Sequence, residues 1–202
     1  MRKLIMFALL PVVCAFGQAG DSALATALQA SYAAEAKGDY PAAIKPLADL
    51  GPADSAHYIA QLRLGWLHYC TKNWNESIPH YFKAVQQAPN AIEPLLGLML
   101  PQQAAGKNDE ALRTAQMVLR LDPNNYTALS RTAWLLYLAK DYRGAAATYR
   151  KLVAWYPADS EMLLGLGYSL KLAGQTQEAA QHFRTVLLLS PNNTRALEGL
   201  NK

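Results

Sequence analysis

Cysteine is nearly absent: Cys14 and Cys70 are the only two in 202 residues. A framework of disulfides is therefore excluded, and the fold must rest on packing. Charge is scarce as well, at 17% of residues, and no run of Lys or Arg marks the electrostatic footprint of a nucleic-acid binder. A Gly-rich phosphate loop and a nucleophile elbow are both missing. The four histidines, His57, His68, His80 and His182, are read as pairing with no other His, Cys or acid at the i,i+4 spacing of a helical metal site. His68 falls on a core position, whereas His80 and His182 read as surface. Carboxylates are scattered at helix starts, where they act as caps. These absences argue against an enzyme, a metal centre or a cofactor. With 51% hydrophobic residues the chain is nonetheless a folding one.

No apolar run reaches the roughly 20 residues that span a bilayer. Arg2 and Lys3 precede an apolar stretch from Leu4 to Phe16 that Pro11 interrupts, and Ala15 and Gly17 supply small residues for a cleavage site. Residues 1–17 read as a secretory signal peptide cut after Gly17, or alternatively after Ala19. Two other readings stay open. The segment is an uncleaved anchor, or Cys14 carries a lipid, although Val13 departs from the Gly, Ala or Ser that such sites favour. The expected location is outside the cytoplasm: periplasmic in a bacterium, or secreted, or held at an outer membrane through Cys14. Without Arg2 and Lys3, 17 basic groups face 15 acidic ones, so much of the apparent basicity belongs to the leader. Cys70 is then the one cysteine left, and beside Tyr69 it reads as a small packed hydrophobe.

What the chain has is a period. Pro89, Pro123, Pro157 and Pro191 recur every 34 residues, and Ala43, Ser77, Ala111, Ala145 and Ala179 keep the same step. A fixed period of this length marks a repeat solenoid. The units are 24–57, 58–91, 92–125, 126–159 and 160–193, after a lead-in at 18–23, with 194–202 starting a sixth as a short capping helix. Within each unit, positions 4, 7, 8 and 11 carry one helical stripe, as in Leu163, Leu166, Gly167 and Leu170. Positions 20, 21, 24 and 27 carry a second, as in Ala179, Ala180, Phe183 and Val186. Between them lies a break whose first residue is Gly38, Lys72, Gly106, Lys140 or Gly174, a place for a left-handed turn. The proline at position 32 stops the second helix. Each unit is thus two antiparallel helices, and the fold class is all-α.

The pattern resembles the tetratricopeptide repeat (TPR), through Ala179…Phe183, Ala145…Tyr149 and Ser77…Tyr81 and through Leu64-Gly65 and Leu166-Gly167. It departs where the family has an aromatic at position 4, here Ala27, Gln61, Leu95, Leu129 and Leu163. The first unit is the weakest, with Leu47 at the aromatic position 24 and Ala34 at position 11. The resemblance implies a right-handed α-solenoid of five 34-residue helix-turn-helix repeats.

Alternate units are more alike than neighbours. Units two and four share Arg63, Trp66, Tyr69, Lys72 and Arg131, Trp134, Tyr137, Lys140, and units three and five share E-x-L-L-G-L at 93–98 and 161–166. Duplication of a 68-residue block accounts for this without any appeal to function. At about 100° per residue, position 9 lies roughly 150° from the first stripe. Tyr32, Trp66, Leu100, Trp134 and Tyr168 occupy it. Position 12 adds Tyr69 and Tyr137, and position 6 adds Arg63 and Arg131. These nine residues face away from the partner helix of their own unit. The resemblance implies that this face lines a concave peptide-binding groove, here aromatic, with few acids beyond Glu35, Glu93 and Glu161. The competing reading packs the same aromatics between successive inner helices. The arginines suit a carboxylate or peptide carbonyls, and equally a solvated or cation–π role.

In the family, a clamp for the acidic tails of cytosolic chaperones sets Lys and Asn at positions 5 and 9 of one repeat, Asn at 6 of the next, then Lys and Arg at 2 and 6. The first three units here hold Leu28, Tyr32, Arg63, Glu93 and Gly97, and later registers fail too, so that clamp is absent. Pro101 falls mid-helix, where a proline costs about 3 kcal/mol and is expected to kink the helix. Three N-x-S/T triplets, at Asn75, Asn125 and Asn192, matter only in a eukaryotic source. The expected function is that of an adaptor or scaffold binding a partner protein's peptide. By resemblance to small exported TPR proteins, it serves cell-envelope assembly, secretion or division. A groove holding glycan is a further alternative. So is a structural subunit that self-associates through an end covered thinly by Leu197 and Leu200; the oligomeric state is open. A membrane enters only through an uncleaved or lipidated N-terminus.

Overall fold

The computed structural model describes residues 18–201, with side chains from 23 onward. The leader at 1–17 and the lipidation alternative at Cys14 lie outside the described residues. Every described element is a helix, and the chain divides into two compact units between Ala60 and Gln61.

The first unit holds α1 (Gln18–Glu35), α2 (Tyr40–Ala48) and the single turn α3 (Pro52–Ser55). Residues 18–23, expected as a lead-in, are the opening of α1. Leu24, Ala27 and Ser31 of α1 are buried, as are Ala43 and Leu47 of α2. Asp39 caps α2 by accepting from the Ala42 amide at 3.0 Å. α3 has no counterpart in the repeat pattern. Pro52 at its first position pre-sets the helical φ.

α4 (Tyr58–Cys70) starts at the close of the first unit, and the second continues through α5 (Trp74–Gln87), α6 (Ile92–Ala104), α7 (Asn108–Leu121), α8 (Tyr126–Leu138), α9 (Tyr142–Trp155), α10 (Ser160–Leu172), α11 (Thr176–Leu189) and α12 (Thr194–Leu200). The first helices of successive pairs begin at Tyr58, Ile92, Tyr126, Ser160 and Thr194, a step of 34 each time. The turn residues at position 15 all have positive φ, from 61° at Lys72 and 63° at Lys140 to 84° at Gly174. Glycine takes that conformation freely, whereas each lysine there costs about 1–2 kcal/mol. Every second helix stops two residues before its proline. The residue between (Ala88, Asp122, Tyr156 or Ser190) has φ from −127° to −146°, because a following proline ring disfavours helical backbone. Asn125, Asp141, Asp159 and Asn193 then cap the helices that follow. α6 runs unbroken through Pro101, as α5 does through Pro79.

Position 24 organises the core. The ring of Tyr81 lies against Gly65 and Gly97, that of Phe183 against Gly167 and Gly199, and that of Tyr149 against Gly165; a Cβ on any of these glycines would fall within 3.0 Å of the ring. Each of these position-24 rings is therefore seated in space left by glycine of the inner helices. Burying one such ring stabilises the fold by about 1.5–3 kcal/mol. Where position 24 is small, at Ala115, position 8 of the same unit is the larger Met99, and both are buried. Ser77 adds a buried hydrogen bond from its Oγ to the Gly65 carbonyl, 2.6 Å. At the last helix, Leu200 packs on this core, whereas Leu197 is 45% exposed and covers little of it.

His80 corrects the surface reading. It is half-buried, its ring stacks on His68 with centroids 5.3 Å apart, and its Nδ1 donates to Gln61 Oε1 at 2.8 Å. Burial, reinforced by His68 and Lys83, lowers its pKa to about 4. Burial also lowers His68, against an opposing pull from Glu76. His182 is half-buried too, with Nε2 3.9 Å from Glu178 four residues earlier, a pair that the sequence reading passed over. No described group of three His, Cys, Asp or Glu is placed to hold a metal.

Two outcomes are expected. Gly165→Ala should cost about 1–3 kcal/mol in urea unfolding by crowding Tyr149. In a Tyr149→Leu background the same change should turn neutral or stabilising, since Ala is the better helix former. The folded state keeps His80 neutral, so the unfolded chain binds the extra proton. Stability should therefore fall as pH drops from 6.5 towards 4. A thermal-melt series should show a shallower fall for His80→Gln; parallel curves would remove His80 from the account.

Candidate partner-binding site

Arg131, Trp134 and Tyr137 follow one another at three-residue steps on α8 and so share one face. Trp134 stacks on Tyr137 with centroids 5.5 Å apart and planes 11° off parallel, and it remains 45% exposed. Facing them across a cleft of about 340 Å³ are Glu161, Met162, Gly165 and Tyr168 of α10, with Ser130 of α8, Tyr149 of α9 and Arg195 of α12 completing the lining. Gly165 leaves room for the Tyr149 ring behind it, which is buried. That burial pushes the Tyr149 hydroxyl up to about 12.

The α10–α12 wall is braced by polar contacts. Arg195 Nη1 donates to both Glu161 oxygens, at 2.9 and 2.8 Å, and the Tyr168 hydroxyl donates to the Arg195 carbonyl at 2.6 Å. Burial raises the Tyr168 pKa, with Glu198 adding to the shift. Lys171 Nζ donates to the carbonyls of Gly199 and Asn201, at 2.9 and 2.6 Å, which fastens the end of α12. Arg131 is held from the other side, its Nη1 donating to Gln103 Oε1 at 2.8 Å.

Arg131, Trp134, Tyr137 and Tyr168 are thus brought together. The other expected groove residues are not part of this cleft. Tyr32 is 54% exposed on α1 in the first unit. Trp66 is 39% exposed and tilts against Tyr69 at 5.9 Å, forming a second aromatic step on α4. Leu100 is half-buried. Arg63 is the correction: it is buried, 8% exposed, and not an open groove residue. Position 6 is where Gly97 and Gly165 meet the rings of Tyr81 and Tyr149, so wheel angle alone does not separate an open side chain from a packed one. The sequence reading missed Tyr149 and Arg195 as lining. Their positions, 24 of the fourth unit and 2 of the sixth, were the available signal.

Residues 102–167 and residues 141–199 match models of the tetratricopeptide repeat. The chain belongs to the TPR family. The TPR protein MamA has a crystal structure that superposes with a TM-score of 0.78 at 17% identity, covering 87% of this chain and 96% of that one. A TPR protein from Parabacteroides merdae also reaches 0.78, at 19% identity, covering 89% and 71%. At these identities the likeness is one of fold. Hsp70-Hsp90 organizing protein 3 of Arabidopsis thaliana is 25% identical over 95 residues, 47% of this chain, and the chain spans only 17% of that protein's length.

Proposed function

We propose that this TPR protein is a non-enzymatic adaptor that captures an extended or helical segment of a partner protein along its inner helices, with the α8–α10 cleft as the principal seat. TPR proteins are interaction scaffolds, and the observation that carries the reading is Trp134. A tryptophan stacked on Tyr137 yet 45% exposed at the mouth of a cleft is the kind of side chain on which interfaces depend. Preformed helices present it, so capture costs the adaptor little order. The named task of the Arabidopsis relative is not carried over, because Leu28, Tyr32, Arg63, Glu93 and Gly97 stand at the positions of the family's chaperone-tail clamp. We place the protein in the exported compartment, periplasmic in a bacterium, on the strength of Arg2, Lys3 and the apolar stretch to Phe16, and assign it to envelope assembly, secretion or division. No described helix is long and apolar enough to cross a membrane.

A second reading has its own observation. Leu188, Leu189 and Leu197, near the C-terminal end, are 84%, 48% and 45% exposed, apolar side chains that a second copy or a neighbouring subunit would cover.

Crosslinking in the native envelope tests the first reading. Trp134→Ala should reduce partner capture at least tenfold with unchanged circular dichroism, and adding Trp66→Ala should lower it further. Undiminished capture would refute the adaptor reading. For the second reading, light scattering should find an oligomer that Leu188→Asp with Leu197→Asp converts to monomer. A monomeric parent chain rules it out.

A further inference from the structure

Building on the adaptor reading, we infer that the α8–α10 cleft selects a segment in which a carboxylate side chain neighbours a large apolar or aromatic one, and that the cleft's 68-residue counterpart has lost this ability. The charges of the lining decide the first half. Glu161 and Arg195 satisfy each other through two hydrogen bonds. Arg131 does not share in that neutrality. Its Nη1 is held by the neutral amide oxygen of Gln103, and it forms no ion pair among the described residues. A half-buried guanidinium beside aromatic walls, fixed by a neutral partner and uncompensated, attracts an anion that accepts from its remaining N–H groups. Phosphate would satisfy the charge alone. The apolar ledge beside it calls for more.

Trp134 stands three residues beyond Arg131, about 4.5 Å further along the helix axis. An extended peptide advances about 3.3 Å per residue. A carboxylate on Arg131 therefore places the next side chain but one, or the adjacent one, over the flat face of the Trp134–Tyr137 stack. An apolar or aromatic group there covers the exposed indole and gains the preference of stacked rings.

The counterpart carries the same residue types at Arg63, Trp66, Tyr69, Tyr81, Glu93 and Gly97, but it differs where recognition occurs. Its arginine is buried. Leu100 stands at the position of Tyr168, and Thr127 at that of Arg195, so its far wall carries neither that hydroxyl nor that guanidinium. Duplication supplied two frames, and one became a receptor.

The test uses the acetylated, amidated pentapeptide Ala-Glu-Ala-Phe-Ala with two controls, Gln for Glu and Ala for Phe, titrated into the chain and followed by the indole and guanidinium signals in nitrogen–proton spectra. Each control should bind about tenfold more weakly at low salt, the scale of a charge-assisted hydrogen bond or a buried ring. The shifts should concentrate at Trp134 and not at Trp66. Arg131→Gln should erase the Glu-over-Gln preference and keep the Phe-over-Ala one, while Arg131→Lys restores part of the former and Arg63→Gln changes neither. Equal binding of the Glu and Gln peptides overturns the inference, as does a preference that survives Arg131→Gln or shifts centred on Trp66. If no peptide binds while envelope crosslinking still depends on Trp134, the ligand chemistry falls and the adaptor reading stands. Crosslinking indifferent to Trp134 removes the adaptor reading itself.

Discussion

The fit of one ring against glycine underlies everything else in the second unit. Tyr81, Tyr149 and Phe183 each occupy space that a single methyl group on the facing inner helix would fill. Helices in a repeat stack have no disulfide and no sheet to hold their register. Shape must do it, and a bulky planar side chain seated on glycine is a strongly directional shape. The spacing between α8 and α10, and hence the cleft between them, follows from that fit. Tyr149 forms part of the cleft wall and also fixes its width.

Much of this was open to reading from the chain. Prolines at a constant step, small residues at position 20 and a turn residue at position 15 each have one structural use, so their positions translate directly into helix ends and contacts. Even Lys72 and Lys140, poor residues for a left-handed turn, were placed there by the period alone. The site was less legible, because a helical wheel gives direction and not depth. Arg63 and Arg131 share a wheel position, yet one is buried and the other hydrogen-bonds at a cleft edge. The His68–His80 stack escaped for a related reason: it joins two helices at 5.3 Å, and single-helix periodicity carries no information across that gap. α3, too short for any period, was invisible.

The two duplicated surfaces show how a repeat protein separates framework from function. The framework residues persist in both copies, as Tyr81 with Gly97 and Tyr149 with Gly165. Differences collect at the next layer, Leu100 against Tyr168 and Thr127 against Arg195. Arg195 comes from α12, a helix of seven residues that Lys171 and Glu161 tie down. A short terminal helix thus shapes a binding surface as well as shielding a core.

The pairing of position 24 with the following position 6 also limits how the chain is lengthened or shortened. Tyr81, Tyr149 and Phe183 are followed by Gly97, Gly165 and Gly199, and Ala115 by Arg131. Excising 92–125 alone would set Arg131 over Tyr81, a collision. Excising 126–159 alone would set Gly165 over Ala115, a void. Excising both would return a glycine to Tyr81 and leave the joint sound. Along this stretch whole repeats are not interchangeable beads. They behave as keyed couplings, and the genetic unit of gain or loss is the matched pair.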